Sequence, residues 1–202
     1  MNKEYKYSEN WFGSEDIERF LPKYTEEKRM LEIGSFEGKS TIWFLENILL
    51  NLNSTITCVD PWTSYSQNTD SFNSYNTLET EWNFKNHQKT FIYNIYQSGY
   101  PEKVIINKGF SYKILPKLIN DNEKYDIIFI DGNHTSPFVL SDCVMSWYLL
   151  ADNGIMIFDD YLWGDVNSTT APKIAVDSFI SCFKDYIEVI WSDYRLAIKK
   201  IK

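Results

Sequence analysis

Positive charge is scarce in this chain: 20 Lys and Arg stand against 28 Asp and Glu, a net charge of −8. Binding to a polyanion depends on clustered cations, so nucleic acid is excluded as a substrate. Cysteine is also sparse. Cys58, Cys143 and Cys182 are odd in number and widely spaced, which fits neither a disulfide framework nor a cysteine zinc site and reads as buried thiols. No apolar run approaches the roughly eighteen residues of a membrane helix, and the polar start Met1-Asn-Lys-Glu-Tyr-Lys6 has no signal-peptide core. A cytoplasmic protein without a membrane partner is expected. No repeat, low-complexity tract or Pro/Gly/Ser-rich linker divides the 202 residues, which suits one domain spanning 1–202. The basic end Lys199-Lys-Ile-Lys202 reads as a solvated strand edge.

With only 8 glycines in the chain, two of them, Gly34 and Gly38, punctuate the stretch Met30-Leu-Glu-Ile-Gly-Ser-Phe-Glu-Gly-Lys-Ser-Thr-Ile42. Met30, Leu31 and Ile33 suit a buried parallel strand, and the glycines let the backbone turn tightly and lie close to a ligand. Ser40 and Thr41 then open a helix whose unpaired N–H groups attract an anionic group. A carboxylate at the strand's end, Glu32, repels phosphate but pairs with an ammonium. That combination favours an amino-acid-bearing ligand such as S-adenosylmethionine.

Two nucleotide-site alternatives fit less well. A phosphate-binding P-loop needs four residues between its glycine and Gly-Lys-Ser, whereas Ser35-Phe36-Glu37 supplies three. The apolar run Ile127-Ile-Phe-Ile130 ending in Asp131 keeps that reading open, since it would serve as the metal-binding strand. The dinucleotide fingerprint fails at Phe36, where a glycine must admit the pyrophosphate. Asp60 ends a second apolar strand, Ile56–Val59, where an acid accepts ribose hydroxyls; the plain alternative is that Asp60-Pro61 starts a turn.

Strands near 28–33, 55–59, 103–107, 125–130 and 154–158 alternate with helices near 39–52, 111–119, 137–150 and 172–184. This is the pattern of an α/β fold, an open parallel sheet with helices on both faces. Two further strands near 187–191 and 195–201, joined at Ser192-Asp193, predict an antiparallel edge hairpin. Ligands of such sheets sit at the carboxyl ends of the strands, where Glu32, Asp60, Asp131 and Asp159 would gather. Four acids crowded at one rim raise one another's pKa, so a cation is expected among them. Asp131, Asp159 and Asp160 offer hard oxygen ligands suited to Mg²⁺ or Mn²⁺, although Asp159-Asp160 could equally line a turn. His134, three residues past Asp131 on a strand-to-helix loop, is the candidate general base, with a histidine satisfied by a loop carbonyl as the alternative. His87, in the polar stretch Glu81–Lys89, is expected to face solvent.

The runs from Leu31 to Thr41, Val59-Asp60-Pro61-Trp62, Tyr125–His134 and Ile157-Phe-Asp-Asp-Tyr161 together resemble the class I S-adenosylmethionine-dependent methyltransferases, in particular the small-molecule O-methyltransferase branch called methyltransferase family 24. The resemblance extends from about residue 28 to the end. It implies a Rossmann-like, mostly parallel seven-stranded sheet with the C-terminal hairpin at its edge. It further implies cofactor contacts at Glu32, Gly34, Ser35, Phe36, Gly38, Ser40, Thr41, Asp60, Trp62 and Asp131. The adenine would lie near Phe110 and Ser111, and a metal at Asp131, Asp159 and Asp160, positions where metal-dependent relatives carry an aspartate and an Asp-Asn or Asp-Asp pair. Asp131 and His134 would carry the catalysis.

Roughly forty residues separate the second strand from the third, and an insertion of that length calls for a purpose. Residues 61–102 contain Trp62, Tyr65, Gln67, Asn68, Phe72, Asn73, Tyr75 and Trp82, a mix suited to a lid and an acceptor pocket that stacks rings on sugar faces. A helix near 78–98 whose aromatics pack against the domain, or against a second subunit in a homo-oligomer, is the compatible alternative. Residues 1–25, with a helix from Ser14 to Leu21 capped by Ser14, are expected to cover the site. The expected activity is metal-assisted methylation of a sugar or phenolic hydroxyl. A P-loop-like NTPase and a non-catalytic cofactor-binding module are the competing classes.

Overall fold

The structure of the protein is a computed structural model describing residues 3–63 and 87–202. Tyr65, Gln67, Asn68, Phe72, Asn73, Tyr75 and Trp82, proposed for the acceptor pocket, lie outside the described residues. Seven strands form one sheet: β1 (Arg29–Ile33), β2 (Thr55–Asp60), β3 (Val104–Lys108), β4 (Tyr125–Ile130), β5 (Leu150–Phe158), β6 (Ile187–Ser192) and β7 (Leu196–Lys200). Their order is β3-β2-β1-β4-β5-β7-β6. The first five are parallel, and β7 runs antiparallel to both β5 and β6. The expected hairpin edge is present.

The period-two alternation of strand side chains explains the two cores. Leu31, Ile33, Ile128, Ile130, Met156 and Phe158 point to one face, where they meet α4 (Ser111–Asn120), α5 (Ser136–Leu149) and α6 (Lys173–Phe183). Met30, Ile127, Phe129, Ile155 and Ile157 point to the other, against α1 (Ile17–Phe20), α2 (Lys39–Asn47) and α3 (His87–Ser98). Because both faces are covered, the central strands are mostly apolar, and that made them readable. Strand order reverses beside β1, so a crevice opens at its carboxyl end between β2 and β4.

Several boundaries differ from expectation. The first helix has four residues and begins at Ile17, with Asp16 rather than Ser14 at its N-cap and no side-chain cap. α2 stops at Asn47, where Ile48 and Leu50 bond the chain at Tyr24: Tyr24 donates to Ile48 O at 2.8 Å and Leu50 donates to Tyr24 O at 2.9 Å. β5 begins at Leu150, before the Asp152-Asn153-Gly154 turn signal, and a register shift against β4 absorbs the irregularity. Cys58 and Cys143 are buried as expected, but Cys182 is exposed. Among the described residues no helix is long and apolar enough to cross a membrane.

One acid of α5 is buried. Asp142 on α5 is 2 % exposed, and burial raises its carboxyl to about 7 against the opposing hydrogen bond with Ser111. A folded pKa above the unfolded one makes the ionised form costly. The penalty is absent below pH 4, grows as pH rises toward 7, and is complete above it. Asp142→Asn should therefore stabilise the protein at pH 8 by about 2 kcal/mol or more relative to its effect at pH 4. Urea midpoints of both proteins at the two pH values check this; equal differences at both would place the charge in contact with water.

Candidate active site

The loop from Gly34 to Gly38 fixes the floor of the crevice. Gly34 N–H donates to Val59 O at 2.9 Å and Asp131 N–H donates to Ile33 O at 2.8 Å, which ties the ends of β1, β2 and β4 together. Gly34 has φ +88°, and a Cβ there would lie 1.9 Å from Asp131 O. Phe36 adopts φ +44°, a left-handed conformation that side chains disfavour. Asp60 holds it: its Oδ2 accepts from the N–H groups of Ser35 (3.0 Å) and Phe36 (2.9 Å), and its Oδ1 from Trp62 N–H (2.6 Å). Trp62 Nε1–H donates to Phe36 O at 2.6 Å. Burial raises the Asp60 carboxyl, and these backbone donors pull it back down.

Glu32 is not placed as expected. It is fully buried, and its carboxylate is enclosed by Ser40 Oγ at 2.6 Å, Thr41 Oγ1 and Cys58 Sγ at 3.5 Å. Desolvation raises its pKa against those bonds. Glu32, Ser40 and Thr41 thus lock the start of α2 onto β1, and their side chains are spent on one another.

The loop's upper side carries features that the sequence reading missed. Glu37 is buried and bonds both Ser8 N–H (2.6 Å) and His87 Nδ1 (2.7 Å). His87 is consequently buried, 6 % exposed, with its ring tilted against that of Phe36 at 4.5 Å; the expected solvent-facing histidine is corrected. The partner that buries it, Glu37, lies fifty residues away. Trp11 stacks on Phe36 as well, at 5.4 Å, and Asn94 exchanges hydrogen bonds with the backbone of Lys6. The N-terminal segment therefore covers the glycine loop.

At the ends of β2 and β3 lies a cavity of about 510 Å³ lined by Pro61, Trp62, Thr63, Gln88, Lys108, Gly109 and Phe110. That volume suits a small-molecule site. Trp62 and Phe110 line this cavity, and the Ser111 side chain bonds Asp142.

Beyond β4 the acids gather. Asp131, His134 and Asp160 each offer a donor atom, all within 4.8 Å of one another. Burial, followed by the charges of Asp159, Asp160 and Glu32, pushes the Asp131 carboxyl well up, with Arg195 opposing. His134 Nε2 lies 3.1 Å from Asp160 Oδ2, its ring 4.8 Å from that of Trp163. Tyr194 donates its hydroxyl to Asp160 Oδ1 at 2.5 Å. Asp159, also expected in the metal set, pairs its Oδ1 with Arg195 Nε. Asp131 and Asp160 offer carboxylate oxygens near enough to share a divalent ion, and the Asp159 charge also acts on Asp131. Arg195 and Tyr194 became visible only once β7 was paired with β5, since residues after Phe158 then oppose those before Leu196.

This sheet order, with the site at the carboxyl ends of β1, β2 and β4, defines a class I methyltransferase fold. Residues 31–161 match the methyltransferase-domain family 24, and the chain belongs to that family of S-adenosylmethionine-dependent enzymes. Among solved structures it is similar to an O-methyltransferase from Bacillus cereus in complex with SAH, at 15 % identity and TM-score 0.61, covering 87 % of this chain and 74 % of that one. It is similar too to TomG from Streptomyces achromogenes, an O-methyltransferase of tomaymycin synthesis in complex with SAM (14 % identity, TM-score 0.62, 87 % and 74 %). A SAH-bound methyltransferase from Podospora anserina also aligns (17 % identity, TM-score 0.57, 87 % and 72 %). No curated protein matches the chain in sequence.

Proposed function

We propose that the protein transfers the methyl group of S-adenosylmethionine to a hydroxyl of a sugar or another small molecule, with His134 as general base. The observation that carries this reading is the contact of His134 with Asp160, next to Asp131 and across from the glycine loop. Asp160 accepting from Nε2–H leaves Nδ1 as the proton acceptor, the orienting arrangement a base needs.

The cofactor follows from the crevice. Its carboxylate meets the N–H groups at the start of α2, and its ammonium pairs with Asp131, which replaces the enclosed Glu32 in that role. A carboxylate has about four lone-pair sites; Asp60 commits three to backbone N–H groups, leaving one for a ribose hydroxyl. Trp62 and Phe110 line the cavity that would take adenine. In the reaction the acceptor oxygen attacks the methyl carbon in line with the C–S bond, whose electrons remain on sulfur, and His134 takes the hydroxyl proton. Asp131 and Asp160 would hold Mg²⁺ or Mn²⁺, which supplies a lower acceptor pKa when bound. Trp163 and Tyr194, each 43 % exposed beside His134 and Asp160, present rings of the kind that stack on sugar faces. The structural neighbours named as O-methyltransferases agree with an oxygen acceptor.

Thermal unfolding with S-adenosylhomocysteine, with and without Mg²⁺ and with ATP as control, tests the reading. A rise in Tm with S-adenosylhomocysteine alone is expected. A rise only with Mg-ATP would replace it by the P-loop reading, and cofactor binding without methylation of any sugar or phenol would leave a binding module.

A further inference from the structure

A carboxylate buried inside a tight turn needs a reason, since taking it out of water is costly unless hydrogen bonds replace the solvent. Glu37 is 4 % exposed, between Phe36 and Gly38. Both of its side-chain oxygens are committed: Oε2 accepts from Ser8 N–H at 2.6 Å and Oε1 meets His87 Nδ1 at 2.7 Å. Its backbone carbonyl accepts from Asn94 Nδ2 at 2.9 Å, and the same Asn94 amide bonds both the N–H and the C=O of Lys6. Two residues further along the loop, Lys39 Nζ donates to Phe12 O at 3.0 Å and to Asn10 Oδ1, while Trp11 stacks on Phe36. Residues 8–12 therefore run across the loop from Glu37 to Lys39 as a strap. Its two ends are held by buried partners: Lys6 by Asn94, which is 0 % exposed, and Phe12 by the rings of Phe44 and Phe129. Between them Ser8, Glu9, Asn10 and Trp11 are all exposed. A span with exposed hydrogen bonds between buried anchors opens locally at far less cost than the domain unfolds.

We propose that Glu37 is a positioning residue that latches residues 8–12 over the glycine loop, so that S-adenosylmethionine enters and S-adenosylhomocysteine leaves when this strap lifts. The inference rests on the reading above that seats the cofactor at the glycine loop and the start of α2. Three physical arguments support it. The loop itself is the fixed partner, because Asp60 holds the N–H groups of Ser35 and Phe36, which leaves the exposed strap as the part able to open. The Ser8 bond has a carboxylate acceptor, so it is stronger than a tie to a neutral amide or hydroxyl. Glu37 spends its oxygens on Ser8 and His87 and recognises no ligand itself; it acts on the barrier to exchange and not on the contacts of the bound cofactor. Segments that close over a ligand in this way set turnover wherever product release is slow.

Association and dissociation rates of S-adenosylhomocysteine on the immobilised full-length protein, measured by surface plasmon resonance, test the proposal without an acceptor. The donor at Ser8 is a backbone N–H, which proline lacks and alanine keeps. Ser8→Pro should therefore raise kon and koff together, each by about tenfold, and leave Kd within about twofold, whereas Ser8→Ala should match the wild type. Glu37→Ala should behave as Ser8→Pro does. Glu37→Gln keeps an oxygen to accept from Ser8 N–H and should stay within about threefold of the wild-type rates. A joint rise in both rates is the signature of a latch; a residue that merely shapes the loop would speed dissociation and weaken Kd with kon unchanged. That second pattern would overturn the proposal, as would wild-type rates in Ser8→Pro or equal effects of Ser8→Pro and Ser8→Ala. Should Glu37→Ala fail to fold, the two variants at the exposed Ser8 still decide. Wild-type protein that binds no S-adenosylhomocysteine would overturn the cofactor reading and the strap with it, whereas normal wild-type binding with unaltered rates in Ser8→Pro would overturn the strap alone.

Discussion

Gly34→Ala is expected to cost the protein its cofactor loop and much of its stability. The added methyl would sit 1.9 Å from Asp131 O and 2.5 Å from Asp131 C, backbone atoms that move only if β1 and β4 separate, and φ is already +88°. The left-handed conformation alone costs a residue with a side chain about 1–2 kcal/mol; the collision adds to it, for a total on the order of 4 kcal/mol. Gly99→Ala is the matched control. Gly99 has φ +81°, and a methyl added there would meet nothing within 4 Å, so it isolates the conformational part. Urea titration of the two variants should separate them by about 2 kcal/mol or more, and S-adenosylhomocysteine affinity should fall in Gly34→Ala only. Equal destabilisation would mean that the β1 and β4 loops are not in close contact.

The contrast between these glycines shows what a sequence carries and what it omits. The motif around Gly34 was legible because its spacing follows from local geometry, a strand, a tight turn and a helix start. The central strands were legible for a similar reason, since burial on both faces leaves continuous apolar runs such as Ile127–Ile130. Residue type alone did not reveal the direction of polar side chains. Glu32 looked like a ligand for an ammonium until Ser40 and Thr41, in the first turn of the next helix, closed on it. His87 looked solvated because its neighbours are polar, and its partner Glu37 sits on another element. Asp159 looked equivalent to Asp160, and only the pairing of β7 with β5 brings Arg195 beside one of them. In each case the deciding partner lies on another element and is charged or hydroxyl-bearing. Such partners leave no periodic trace.

The same division of roles predicts how the reaction should fail. His134→Ala removes the proton acceptor and should lower turnover of a hydroxyl acceptor by about 10²–10⁴-fold, while S-adenosylhomocysteine affinity changes little, because the imidazole faces Asp160 and Trp163 rather than the glycine loop. Asp131→Asn should lose both. Asp131 lies where the ammonium would sit, and its backbone N–H stitches β4 to β1, so replacing its charge removes the cofactor's counter-ion without removing the backbone bond. Asp160→Asn should fall between the two in turnover, since an amide can still meet the His134 ring but supplies no charge to stabilise the protonated imidazole. Initial rates and S-adenosylhomocysteine Kd values for the three variants, measured on one acceptor, give the ordering. If His134→Ala kept more than about a tenth of wild-type turnover, proton removal would have to be assigned to another group, and among the described residues the carboxylate of Asp131 is well placed to take it, lying in the same cluster.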